Sequence, residues 1–212
     1  MFGMWRSTIT GIVVSTLVIV TTAAWLYNGQ GPAAAGRNPA PEPLRGVLWP
    51  EPLELAEFEL TTQTGIIFAE DSFVGQWDLV FFGYIDCPDI CPMSLASMRQ
   101  MRNILSSRGG EVSQPRYILV SVDSENDDPE RMRGYLAAFD PEFIGLTGAK
   151  TMIDRLAGSL AVHYRKVPDG DFNAIDHTSS LMIIDPQGRA VGAIQPPLLP
   201  EQMAEIFEKL SD

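Results

Sequence analysis

The chain of 212 residues is long enough for one globular domain with additional segments, and its hydrophobic fraction of 45% excludes an intrinsically disordered protein. Its formal net charge is −12, from 15 lysines and arginines against 27 aspartates and glutamates. Because an acidic surface repels phosphate backbones, this charge argues against nucleic acid as a partner. The chain has only 2 cysteines, which excludes a small scaffold held together by several disulfides.

The first predicted element is an apolar segment, Ile9 to Leu26, that contains no charged residue. Eighteen helical residues, rising about 1.5 Å each, just span a hydrocarbon core roughly 30 Å thick. We therefore expect residues 1–27 to form a transmembrane anchor. A cleaved signal peptide is the alternative, because the small residues Ala33-Ala34-Ala35 follow the segment.

The position of this anchor also predicts where the rest of the chain lies. The segment before the span is very short and is not an Arg/Ser-rich transit peptide. A large domain that follows such a span is translocated largely regardless of its charge. We expect a single-pass protein of the bacterial inner membrane whose soluble domain faces the periplasm.

After the anchor, residues 28–45 are rich in proline, glycine and alanine and show no apolar period, which predicts a flexible linker. Residues 46–212 are predicted to form the folded domain. Strands are predicted in a hairpin that turns at Gln63-Thr64-Gly65 and at 78–85, 116–122, 162–167, 180–185 and 190–195. Helices are predicted at 94–106, 128–139, 151–161 and 200–210. This order predicts an α/β protein with a mixed sheet and a thioredoxin-like fold.

The motif DCPDICP, residues 86–92, follows the first buried strand and contains both cysteines. If the segment turns helically, Cys87 and Cys91 face the same way with Cβ atoms about 5–6 Å apart. Their sulfurs can then bind one metal ion or form a disulfide. The N-terminus of the following helix is expected to lower the thiol pKa, whereas Asp86 and Asp89 oppose this effect. A purely structural disulfide is less favoured, since so short a loop would stabilise the fold little.

A metal site needs further ligands, and the chain offers two histidines. His177 is predicted to lie in the loop just before a core strand, where it is either a ligand, an exposed loop residue or a partner of Asp176. His163 is predicted to lie inside a strand, and we interpret it as structural.

Three segments together resemble the SCO/SenC family of copper-binding assembly factors for cytochrome c oxidase. They are FFGYIDCPDICP, ILVSVDSENDDPERMRGYLAAFD and DHTSSLMIIDPQG, and the resemblance runs from about Trp49 to the C-terminus. It implies that Cys87, Cys91 and His177 bind copper, as Cu(I) and also Cu(II), and that Asp123 supports the site. It also implies that the two cysteines form a redox-active disulfide.

The chain departs from the family pattern at positions that are not ligands. Ile85 replaces the usual threonine, and Ser124 replaces the usual proline after Asp123. The segments 126–128 and 181–182 also differ from the residues that the family usually has there. We expect these changes to affect redox properties or partner choice and to leave copper binding in place.

The chemistry of the three side chains agrees with the resemblance. Two thiolates and an imidazole are soft to borderline donors that suit Cu(I), whereas zinc ordinarily takes four ligands in a closed site. The thiols must be reduced to bind metal, so outside the cytoplasm a thiol reductant has to keep them open.

We therefore expect a membrane-anchored copper metallochaperone, and not an enzyme, that helps to assemble the CuA centre of cytochrome c oxidase. Its expected partners are the oxidase subunit that carries the CuA site, other copper chaperones and a thiol reductant. One alternative is a thioredoxin-like thiol-disulfide reductase or peroxidase acting on membrane-associated partners. Against it, thioredoxin-type couples use C-x-x-C, and Asp86 and Asp89 would raise the pKa of a nearby thiol and slow its attack. Another is a copper or redox sensor without a delivery role.

Overall fold

The computed structural model describes residues 42–109, 114–168 and 174–211. These residues belong to a compact unit that extends from Ala40 to Asp212. The predicted anchor, residues 1–27, and nearly all of the predicted linker lie outside the described residues, so both stay predictions. Among the helices in the described ranges, none combines the length and apolar character needed to cross a bilayer.

The described part of the chain contains ten strands and four α-helices. The strands are β1 (Leu48–Glu54), β2 (Glu59–Thr62), β3 (Ile67–Ala69), β4 (Asp78–Gly83), β5 (Arg116–Ser121), β6 (Ile144–Thr147), β7 (Tyr164–Lys166), β8 (Ile175–His177), β9 (Leu181–Ile184) and β10 (Arg189–Ile194). The helices are α1 (Ile90–Arg108), α2 (Pro129–Ala137), α3 (Lys150–Ser159) and α4 (Pro200–Ser211).

Eight of these strands form one mixed sheet in the order β1-β10-β9-β4-β5-β6-β2-β3, and β7 and β8 form a separate ribbon. Every residue of β4 is buried, as its continuous apolar sequence requires of a strand covered on both faces. β4 pairs in parallel with β5 and antiparallel with β9. Because Gly83 at the end of β4 pairs with Ser121 at the end of β5, the loops after both strands leave the same edge of the sheet.

The helices pack against this sheet through their apolar faces. α1 buries Leu95, Met98 and Met101 and packs against α4. α2 packs against β6, and its start is fixed by Asp128, whose carboxylate accepts the backbone N–H of Arg131 at 2.9 Å. This N-cap lowers the free energy of the first helical turn by about 1 kcal/mol. The predicted mixed α/β architecture is thus confirmed.

Several local features differ from the sequence-based expectations. α1 begins at Ile90, four residues before the predicted start at Ser94, so Cys91 lies on the helix. His177 ends a short strand, β8, and is not in a loop, while His163 is exposed and precedes β7. Leu44, in the predicted linker, is buried in the core with 7% exposure.

Candidate metal centre

The two cysteines lie at the connection between β4 and α1. Cys91 is in the first turn of α1 and is completely buried, and Cys87, in the loop between the two elements, is 8% exposed. Both are free thiols, and the backbone N–H of Cys91 donates to the Cys87 Sγ at 3.4 Å. The turn therefore directs both sulfurs to one side, as the four-residue spacing predicts.

The third candidate ligand comes from the β7–β8 ribbon, in which His177 is paired with Tyr164. The His177 Nε2 lies 3.5 Å from the Cys91 Sγ. The His177 Nδ1 lies 3.1 Å from the Thr178 carbonyl oxygen. Since a carbonyl can only accept a hydrogen bond, the Nδ1 carries the proton and donates it. The Nε2 is thereby left with a lone pair that faces the cysteines.

Aromatic rings enclose the imidazole. Phe81 and Tyr84 meet the His177 ring edge-to-face, with centroids 5.8 and 6.1 Å away. Burial lowers the pKa of His177, against a smaller opposing effect of its bond to the Thr178 carbonyl. The ring is therefore neutral near pH 7 and able to bind a metal ion.

The sequence leaves the net shift of the thiol pKa open, because the helix N-terminus and the acids Asp86 and Asp89 act in opposite directions. Burial raises the pKa of this thiol far above its ordinary value, and the neighbouring Cys87 and Asp127 add to the effect. Desolvation of the thiolate is the largest cause, so the net shift of the Cys91 pKa is upward. Cys91 is protonated without metal and must lose a proton when it binds one.

The geometry of the three groups fits a single metal ion. The two Sγ atoms and one imidazole nitrogen all lie within 4.8 Å of one another. Metal–sulfur and metal–nitrogen bonds of about 2.0–2.3 Å place neighbouring ligand atoms roughly 3.5–4 Å apart. Cys91 and His177 already satisfy this separation, so only a small movement of the Cys87 loop is needed. Two soft sulfurs and an imidazole suit copper among the biological metals.

Asp123 lies in the loop after β5, at the same edge of the sheet as the cysteine loop, and is 3% exposed. Its Oδ2 accepts a hydrogen bond from the Asn126 Nδ2 at 2.8 Å, and its Oδ1 is 3.8 Å from the Lys166 Nζ. The Oδ1 has no hydrogen bond. Asp123 therefore joins the surroundings of the site through Asn126 and Lys166, and its supporting role stays a prediction.

Sequence reasoning missed two residues that connect the cysteine loop to the rest of the domain. The Asp127 Oδ2 accepts the Ser121 hydroxyl at 2.7 Å and the backbone N–H of Ile85 at 3.0 Å. The Arg131 Nη2 donates to the Asp86 Oδ1 at 2.8 Å. The sequence marks Asp128 as a helix start, but no sequence signal points to the contacts of Asp127 and Arg131 with the cysteine loop, because these contacts follow no sequence period.

Comparison with known proteins shows the family of this chain. A profile of the SCO1/SenC family matches residues 50–212. The chain belongs to this family. The resemblance seen in the sequence is therefore confirmed, and the match covers residues 50–212 of the domain that carries the site.

Individual relatives show the same likeness. The SCO2-like protein of Rickettsia conorii is 34% identical over 154 residues, which cover 71% of this chain and 74% of the relative. The solved structure of Bradyrhizobium japonicum ScoI with copper bound is 34% identical and superimposes with a TM-score of 0.64 over 74% of this chain and 98% of ScoI. The expectation that copper is the metal is thus confirmed for a solved member of the family.

A further solved relative concerns the cysteines. BsSco, described as a member of the Sco family of cytochrome c oxidase assembly proteins with a disulfide switch, is 25% identical. Its TM-score is 0.62, over 78% of this chain and 97% of BsSco. A link between family members and oxidase assembly is therefore shown, as is a disulfide switch in one of them.

Proposed function

We propose that this protein is a copper chaperone that holds copper with Cys87, Cys91 and His177 and delivers it to the CuA centre of cytochrome c oxidase. The observation that carries the proposal is the convergence of two sulfurs and one imidazole nitrogen within 4.8 Å at the sheet edge. The copper bound in B. japonicum ScoI and the oxidase-assembly description of BsSco support it.

The site is built for a metal that must leave. Three protein ligands leave a copper ion open to a fourth ligand from a partner, whereas a closed four-ligand site would retain it. Cys87 belongs to a loop, while Cys91 and His177 belong to a helix and a strand. Exchange with an incoming thiolate of the oxidase subunit can therefore begin at Cys87 without disturbing the core.

The cellular setting is part of the proposal. We propose that residues 1–27 anchor the protein as a single-pass span of the bacterial inner membrane and that the domain works in the periplasm. Because that compartment favours disulfides, a thiol reductant must return Cys87 and Cys91 to the dithiol before copper binds. Other copper chaperones are the proposed source of the metal.

Transfer to an acceptor tests the proposal directly. The copper-loaded domain is mixed with the metal-free, reduced CuA-bearing domain of an oxidase subunit, and the two are separated and analysed for copper. We expect copper on the acceptor and a reduced, metal-free donor. Retention of copper by the donor, together with efficient reduction of insulin by the metal-free protein, would support the thiol-disulfide reductase instead. Retention of copper by the donor without reduction of insulin would instead support a copper sensor.

A further inference from the structure

The loop that precedes Cys87 is attached to the start of α2 at two consecutive residues. The backbone N–H of Ile85 donates to the Asp127 Oδ2 at 3.0 Å, and the Asp86 Oδ1 accepts from the Arg131 Nη2 at 2.8 Å. The residue next to Cys87 is thus held by a side chain of another element.

Arg131 is itself held in place. Its Nη1 donates to the Asn126 carbonyl oxygen at 2.6 Å and lies 3.6 Å from the Asp127 Oδ1. The planar guanidinium can reach Asp86 and Asn126 at the same time, which a lysine ammonium on its flexible stem does less well. Asp127 is buried with 1% exposure, so the guanidinium lies beside a carboxylate that is itself fixed in the core.

The Arg131–Asp86 pair contributes little to global stability. The two side chains are 40% and 53% exposed, and exposed ion pairs are typically weak. Its position matters more than its strength, because it joins the cysteine loop to a helix that does not carry either cysteine.

Closing the Cys87–Cys91 disulfide requires the sulfurs to approach to about 2.05 Å. Cys91 is fully buried on α1, so it is less free to move than the loop that carries Cys87. A contact that restrains Asp86 therefore restrains the sulfur that has to move.

We propose that Arg131 is a positioning residue that holds the Cys87 loop in the dithiol conformation and thereby disfavours the disulfide. The equilibrium it biases is exchange with glutathione. Two protein thiols reduce one oxidised glutathione, the Cys87–Cys91 bond forms as the glutathione disulfide breaks, and two molecules of reduced glutathione carry away the two protons.

The test measures the midpoint potential of the metal-free domain in mixtures of reduced and oxidised glutathione, with free thiols counted by alkylation and mass. For Arg131→Gln we expect disulfide formation to be favoured by roughly 1.5- to fivefold, as for the loss of a weak surface pair. This change corresponds to a midpoint about 5–20 mV more negative. Because no metal is present, the result is independent of whether copper is the cargo.

Matched variants separate positioning from charge. Arg133→Gln makes the same charge change on α2, where Arg133 is exposed and has no hydrogen bond or ion pair with the described residues, and should leave the potential unchanged. Asp86→Asn should shift the potential in the same direction as Arg131→Gln, and the double variant should add little. Arg131→Lys should fall between the wild type and Arg131→Gln.

Three results would overturn the proposal. They are an unchanged potential in both Asp86→Asn and Arg131→Gln, a shift in Arg133→Gln equal to that in Arg131→Gln, and opposite shifts in Asp86→Asn and Arg131→Gln. The last two would assign the effect to charge alone. If Arg131→Gln did not fold, Asp86→Asn alone would decide the question, since Asp86 is exposed and its loss leaves the start of α2 intact.

Discussion

Gly83 is the residue that lets the Cys91 sulfur approach the end of β4. A Cβ atom at Gly83 would lie 2.8 Å from the Cys91 Sγ and 3.0 Å from the Phe81 ring. Both neighbours are fully buried, so neither can move away easily. The Cys91 sulfur can therefore lie this close to the backbone only because residue 83 has no Cβ atom.

We predict that Gly83→Ala displaces Cys91 and weakens Cu(I) binding by about tenfold or more, the scale of losses caused by misplaced ligands. Overpacking should also cost about 1–3 kcal/mol of unfolding free energy. Cu(I) competition against a chromophoric chelator measures the first effect, and urea unfolding measures the second. Gly134→Ala is the control, because a Cβ there meets nothing within 4 Å. Wild-type copper affinity in Gly83→Ala would contradict the site geometry.

Asp123 carries a buried carboxylate whose only hydrogen bond among the described residues is to Asn126. We predict that Asp123→Ala leaves the fold intact and lowers copper retention or delivery by about 10–100-fold. Retention is measured as the rate of copper loss to a chelator, and delivery by transfer to the CuA-bearing domain. Glu125→Ala is the matched control, since exposed Glu125 contacts the same Lys166 at 2.6 Å. Equal behaviour of Asp123→Ala and the wild type would limit Asp123 to a local structural role.

Elements with a clear apolar pattern or turn signal could be predicted from the sequence, including strands as short as β3, whereas β1, β6 and β8 could not. β4 and β5 were visible as continuous apolar runs, and α1 and α4 as apolar stripes. β1 was missed because it contains Pro50 and Pro52 and is almost entirely exposed, which an edge strand tolerates. β6 and β8 have only four and three residues, too few to show a period, and each is recognised by its pairing with other strands.

The candidate site was predictable for a different reason. The cysteine spacing and the motif around His177 identify the three candidate ligands without any knowledge of the β7–β8 ribbon. Their electrostatic environment was not predictable, because burial of Cys91 and the contact between Asp86 and Arg131 depend on packing between elements. The sign of the Cys91 pKa shift is the clearest case, since desolvation is not visible in a motif.

The turn between β4 and α1 couples copper binding to redox state. We predict that oxidised protein binds copper more than about 100-fold more weakly than reduced protein, because the disulfide removes two of the three donors. Losing two ligands should weaken binding more than losing a supporting residue, which typically costs about 10–100-fold. Copper titrations of both forms, with free thiols counted before each run, measure the difference. Equal affinity of the two forms would exclude a site with two thiolate ligands.

At the scale of the whole molecule, one buried ion pair predicts how stability depends on pH. Asp78, at the start of β4, is fully buried, and the Arg116 Nη2 and Nε donate to its carboxylate at 2.8 and 2.5 Å. Burial raises the pKa of Asp78 from 3.8 to about 6, although Arg116 opposes the shift. The native state therefore holds this proton at a pH where the unfolded chain has lost it.

A raised pKa of this kind stabilises the fold below about pH 4, and the contribution is lost as the pH rises through about 6. We predict that the unfolding free energy of the wild type, relative to Asp78→Asn, falls by up to about 3 kcal/mol between these pH values. Urea unfolding of both proteins across this range provides the measurement. A relative stability that rises with pH would show that Arg116 outweighs burial.

The central claim is that the domain holds one copper ion with Cys87, Cys91 and His177. The most direct test counts the Cu(I) bound by the reduced domain under competition with a chelator, for the wild type and for Cys87→Ala, Cys91→Ala and His177→Ala. His163→Ala is the matched control, since His163 is the other histidine and is exposed beside the site. We predict one tightly bound copper in the wild type and in His163→Ala, and loss of tight binding in the other three. Tight binding that survives His177→Ala but not His163→Ala would contradict the assignment.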